Sequence, residues 1–118
     1  MESHRSHRPL PWMAFGLGGF LVAFFFPAHI FIYGIAQPLG LLPTPSYAST
    51  LHLLEAPLTR LYLGVLLISA FWHAAYRLRD AICDALDMRS LDTVIWALSF
   101  GGAIAGSLVT IALLCRVP

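Results

Sequence analysis

Three long apolar stretches, separated by two breaks, organise this chain. The first runs from Trp12 to Ala36 without an Asp, Glu, Lys or Arg. The second, Leu61–Tyr76, is bracketed by Arg60 and Arg77, and the third, Thr93–Cys115, again carries no charge. A helix needs about 20 apolar residues to cross a hydrocarbon core roughly 30 Å thick. The second stretch is short for that, but flanking arginines snorkel to the interface and lengthen the usable span. Its helix is expected to run on to about Leu86 as an amphipathic end, where Arg77, Arg79, Asp80 and Asp84 offer local ion pairs. The pattern therefore predicts an all-α membrane protein with three transmembrane helices, about 12–36, 60–80 and 93–115, in a single domain over residues 1–118.

Local signals refine these elements. Pro27 lies in the middle of the first span and is expected to bend it or free a carbonyl. Pro38, Gly40, Pro43, Pro45 and Pro57 punctuate the first break, with room for a short amphipathic turn around Tyr47–Leu54. Ser90 or Asp92 is placed to cap the third helix. Gly16, Gly18 and Gly19 near the start of the first span, and Gly102 and Gly106 in the third, allow close helix approach.

Composition excludes a soluble alternative. Of 118 residues, 58% are hydrophobic and only 11% charged, with mean hydropathy +0.77. Soluble domains run near 25% charged. Three spans consume the chain and leave no room for a water-soluble catalytic module. A net charge of +1 gives no electrostatic case for nucleic acid. Residues 1–10 look like the leading region of a signal peptide, but the apolar run behind them is too long for one, so a retained span is expected.

All seven basic residues are arginine, and their distribution sets a topology. Arg5, Arg8, Arg77, Arg79 and Arg89 fall on one side; Arg60 and Arg116 fall on the other. The positive-inside rule puts the N-terminus in the cytoplasm. Cys83 and Cys115 then lie on opposite sides, which excludes a disulfide within the chain, and their spacing is not that of metal ligands.

The sequence holds no nucleotide loop, no metal-ligand cluster and no acid–base pair, so no catalytic or metal-binding residue is assigned. His4, His7 and His52 read as solvated. His29 lies inside the first span, where an ionisable residue suggests function. It could ligate a haem or join a proton path. The alternative is a hydrogen bond to a carbonyl freed by Pro27 or to a neighbouring helix. A second group, Phe71, Trp72, His73, Tyr76, Arg77 and Arg79, closes the second span. His73 and Tyr76 share a face at i, i+3, and Trp12 enters the first span in the same leaflet. An indole N–H, an imidazole, a phenol and a guanidinium near one membrane surface suit a quinone headgroup, with Trp12, His73, Tyr76 and Arg77 as the binding residues. An ordinary interfacial belt of aromatics and arginine reads the same way.

These residues carry a resemblance. The order Pro11-Trp12, Gly16-x-Gly18-Gly19, Pro27, then Gly34-x3-Pro38-Leu39-Gly40 in the first half resembles the D-type membrane anchors of four-subunit quinol:fumarate reductases. So does Arg60 opening the second span and Phe71-Trp72-His73-Ala74-Ala75-Tyr76-Arg77-Leu78-Arg79 closing it. The likeness extends from about Leu10 to Leu114.

The resemblance implies a bacterial inner-membrane protein that packs with a second three-helix anchor, of the C type. Together the two anchors hold an iron–sulfur protein and a flavoprotein to the cytoplasmic face. FAD and iron–sulfur clusters reside in those partners, and the anchor has no dicarboxylate site of its own. Menaquinol is oxidised at the anchor, and its electrons pass through the iron–sulfur centres to flavin and fumarate. Gly18, Gly19, Gly102 and Gly106 are expected to face the partner anchor.

The family tryptophan of the quinol site matches Trp12, whereas the family histidine falls at Tyr76. A tyrosine donates a hydrogen bond but accepts a proton poorly, so His73, one turn earlier on the same face, is the candidate substitute. No haem is expected. Two rivals stand beside this reading: the anchor of a succinate dehydrogenase running in the opposite direction, and a small non-enzymatic membrane accessory protein.

Overall fold

The computed structural model describes residues 9–86 and 89–118. His4, Arg5, His7 and Arg8, with their share of the topology argument, lie outside the described residues. Helix α1 spans Pro9–His29. Prolines in a first helical turn are tolerated because those N–H groups have no helical partner. Pro27 neither ends nor sharply interrupts α1. Instead the chain widens directly after His29 into a π-helix over Ile30–Ala36. The wider register continues at its end, where Gln37 donates to the Ile32 carbonyl at 3.0 Å and Leu41 to that of Ala36 at 2.8 Å. Gly40 closes the turn at φ +73°, a conformation that suits glycine.

The expected amphipathic turn is helix α2, Tyr47–Glu55, capped by Ser46, whose Oγ accepts from the Ser49 N–H at 3.1 Å. Pro57 then opens α3, Pro57–Ala85, at the position where a missing N–H costs nothing. Arg60 Nε donates to the Leu54 carbonyl at 2.7 Å and ties α2 to α3. After a 3₁₀ turn at Arg89–Leu91, α4 covers Asp92–Arg116. Neither predicted cap serves α4: Leu91 occupies the N-cap without a side-chain bond. Asp92 is drawn to Arg79 instead.

Three helical stretches, Phe15–Ala36, Pro57–Ala85 and Asp92–Arg116, are long and apolar enough to cross a membrane. Helix α3 is the middle one and packs on both α1 and α4. Glycines set the spacing. A Cβ at Gly18 would stand 3.0 Å from the Ser69 carbonyl oxygen, and one at Gly19 would stand 2.7 Å from Cε1 of His73. One at Gly106 would meet the Phe71 ring at 3.0 Å. Three of the four glycines expected to face a second anchor therefore serve packing within the chain, and only Gly102 stays open. Few side chains are buried, among them Leu66, Ala75, Ile95, Phe100 and Ala103. Large apolar side chains such as Leu17, Phe20, Phe24, Leu98 and Leu108 are exposed. That much uncovered apolar surface calls for lipid or other helices around it.

Candidate functional site

The arginine-rich end of the molecule, where α1 begins and α3 ends, holds an interlocked aromatic cluster. His73 of α3 reaches across to α1, where its Nδ1 lies 3.2 Å from the Phe15 carbonyl oxygen. A carbonyl only accepts, so Nδ1 carries the proton, and in the neutral ring Nε2 holds a lone pair. The imidazole stacks on the Phe15 ring with centroids 4.6 Å apart and planes 11° apart. Gly19 leaves the space in which the ring sits.

Tyr76, next on the same face of α3, meets Phe15 edge-on at 5.4 Å and Phe100 of α4 edge-on at 4.8 Å. Trp72 and Trp96 also pack on Phe100, at 5.9 and 5.1 Å. Aromatic pairs of this kind contribute about 0.5–1.5 kcal/mol each beyond their buried area. The three helices are thereby fixed at this end, with a histidine nitrogen and a phenol held on one aromatic wall.

Trp12 lies one turn before Phe15, hence on the same side of α1, and is 73% exposed. Arg77 goes elsewhere. Four residues were expected at one place, but Arg77 is exposed and lines a groove between α3 and α4 with Phe71, Ala74, Leu78, Leu98 and Gly102. Phe15 and Phe100 were missed by sequence reasoning, although both organise the cluster. The spacing of Phe15 from Trp12 (i, i+3) and from Gly19 (i, i+4) was the available signal.

Arg79 and Asp92 close the same end. Nε donates to Oδ1 at 2.9 Å and Nη2 to Oδ2 at 3.0 Å, a two-pronged clasp between α3 and α4. Arg79 also reaches Asp80 at 3.4 Å, the one local pair of those expected that forms among the described residues. The Cys83 thiol lies 3.5 Å from Asp92 Oδ1.

His29 sits toward the other end of α1. Its Nδ1 donates to the Phe25 carbonyl at 2.8 Å, so its Nε2 accepts from the Tyr62 hydroxyl at 3.3 Å. The ring also stacks on Tyr62, with centroids 5.8 Å apart. Both nitrogens are thus used, one within α1 and one across to α3. Among the described residues there is no cluster of three or more His, Cys, Asp or Glu placed to hold a metal.

The sequence model of one family, that of the fumarate reductase D subunit, matches residues 2–115. The fumarate reductase D subunit of Mycobacterium tuberculosis is 35% identical over 103 residues, covering 87% of this chain and 82% of its own. Proteins of the same name from Haemophilus ducreyi and Actinobacillus pleuropneumoniae are 32% and 30% identical over 83 residues, covering 70% of each chain.

Proposed function

The chain belongs to the fumarate reductase D-subunit family and is a membrane anchor, and we propose on that footing that its arginine-rich end forms part of a menaquinol oxidation site. The reading rests on one observation, that Phe15, His73 and Tyr76 put a lone-pair nitrogen and a hydroxyl on the same aromatic wall. Menaquinol is a flat ring with two hydroxyl groups. It must lose two electrons and two protons to become menaquinone. The wall shelters the ring, Tyr76 donates a hydrogen bond to one oxygen, His73 accepts one of the two protons at Nε2, and the other leaves to water at the interface. The exposed indole of Trp12 donates to the second oxygen.

The two electrons leave to an iron–sulfur protein held on this face, and from there pass to a flavoprotein, where fumarate takes up two electrons and two protons to become succinate. A second three-helix anchor, of the C type, covers the exposed apolar faces of α1 and α4 and completes the pocket. We take the membrane to be a bacterial inner membrane with the N-terminus in the cytoplasm, so that the arginine-rich end faces the soluble partners. His29 serves as a tie between helices, with Nδ1 bonded to Phe25 and Nε2 to Tyr62.

The test uses the complex purified through a tag on this chain. Fumarate reduction is driven in one assay by menaquinol and in another by a water-soluble one-electron dye that reaches the soluble partners directly. Removing a group that takes a proton in the transition state typically costs 10²–10⁴-fold. His73→Ala is therefore expected to lower the menaquinol-driven rate by about 100-fold or more, with the dye-driven rate unchanged. Tyr76→Phe, which keeps the ring packing, shows the same split to a smaller degree. Wild-type menaquinol rates in both variants would remove the site from this end of the chain.

A further inference from the structure

The groove that holds Arg77 has a shape of its own. It runs between α3 and α4, on the flank of α3 away from the Phe15 cluster, as an open groove of about 670 Å³. Its floor is Ala75 and Ala103, both buried. Its walls are Ala74, Leu78, Leu98 and Gly102. The membrane-centre end is stopped by Phe71, whose ring fills the notch over Gly106. Toward the arginine-rich end it stays open, and there Arg77 stands exposed.

Two observations say what fits. The first is length. From Phe71 to Arg77, α3 rises about 9 Å at 1.5 Å per residue, and the arginine side chain can snorkel further toward the interface, within the roughly 15 Å of half a hydrocarbon core about 30 Å thick. The groove therefore fits within one leaflet, closed by Phe71 toward the middle of α3 and carrying its arginine on the interface side. The second is charge. Arg79 is engaged by Asp92 and Asp80, whereas Arg77 makes no salt bridge among the described residues. An arginine at the interface end of a one-leaflet apolar groove is matched by a phosphate with an acyl chain attached, since guanidinium pairs with phosphate oxygens through two parallel donors.

We propose that this groove is a binding site for one anionic phospholipid of the arginine-rich leaflet, with an acyl chain between α3 and α4 and the phosphate on Arg77. The groove shares its Ala75–Ala103 floor with the core behind the aromatic wall, but it takes a different ligand and does not depend on quinol chemistry.

The complex, purified through a tag on this chain and stripped of loose lipid in mild detergent, is the object to test. Lipid retained per complex is counted by mass spectrometry, and thermal unfolding is followed with added dioleoylphosphatidylglycerol or dioleoylphosphatidylcholine. Wild type is expected to retain a phosphatidylglycerol and to be stabilised by that lipid more than by phosphatidylcholine. Arg77→Gln loses the difference between the two lipids, and Gly102→Leu, which fills the groove, loses the retained lipid. Arg116→Gln, an exposed arginine at the other end, keeps both. Equal responses to the two lipids in wild type would overturn the proposal. So would an undiminished phosphatidylglycerol response in Arg77→Gln, which also serves alone if Gly102→Leu does not assemble. Loss of a partner protein from Gly102→Leu, with lipid retention unchanged, would give the groove to a protein helix and overturn it as well.

Discussion

His29 and His73 each donate Nδ1–H to a backbone carbonyl of α1, yet the two ends of the molecule put the second nitrogen to different use. At the far end the bond stays within α1, from His29 to Phe25, just before the helix widens into its π-segment. Tyr62 then takes Nε2, so the imidazole has no bonding capacity left. At the arginine-rich end the bond crosses from α3 to α1, and no described residue hydrogen-bonds to Nε2 of His73. A polar group in a span is costly unless hydrogen-bonded, and a fully bonded one is structural. The lesson is that a histidine's place in a span says less than what its second nitrogen meets.

The largest effect is expected where that second nitrogen is displaced. A Cβ at Gly19 would stand 2.7 Å from His73 Cε1, so Gly19→Leu forces the ring off Phe15 while leaving every proposed binding residue unsubstituted. Misplacing a reacting group by about 1 Å can cost on the order of 100-fold in rate, and a menaquinol-driven loss of that size is expected with the dye-driven rate preserved. The same pair of assays on Tyr62→Phe should show neither rate altered. If Tyr62→Phe slowed menaquinol oxidation as much as Gly19→Leu, the contrast between the two ends would fail, and His29 would belong to the chemistry.

Much of the architecture was legible because lipid imposes a simple rule. Uncharged runs of sufficient length had one structural outcome: α4 is bounded by Asp92 and Arg116, and α3 runs past Arg77 to Ala85, as its charged amphipathic end predicts. The site was legible only in part. His73 and Tyr76 share a face by helical period, so their meeting followed from spacing. Arg77 is adjacent to Tyr76 in sequence, but one residue turns a helix by about 100°, and this carried it to the opposite groove. Phe15 carried only its spacing from Trp12 and Gly19, a faint signal in an apolar run containing many aromatics. The glycines were read as a surface for another protein, since composition alone does not say which neighbour a small residue admits. Pro27 announced a disturbance, but not that the backbone would absorb it as a wider helix beside His29.

A smaller effect is expected from opening the far-end tie. Tyr62→Phe keeps the ring that stacks on His29 and Phe25 and removes only the hydroxyl. A net hydrogen bond contributes about 0.5–1.5 kcal/mol, so the unfolding free energy of the complex should fall by an amount of that order, seen as a lower thermal midpoint. His29→Ala should cost more, because it removes the stacked ring as well. A Tyr62→Phe complex as stable as wild type would mean that packing alone joins α1 to α3 there, and the His29 bond to Phe25 would then be its only polar role.

The smallest effect is expected at the clasp behind the aromatic wall. Arg79 and Asp92 are joined by two hydrogen bonds, but their side chains are 33% and 43% exposed, and exposed pairs are screened by water and salt. Asp92→Asn keeps an acceptor oxygen and removes the charge. A slight fall in thermal stability at low salt is expected, shrinking as salt is added, with the menaquinol rate unchanged. The comparison between the two ends becomes sharper if this holds, since His73 is then kept in place by Phe15 and Gly19 rather than by the charged connection between α3 and α4. A menaquinol rate that fell with Asp92→Asn would instead show that the clasp sets the position of α4, and through Phe100 and Tyr76 the aromatic wall itself.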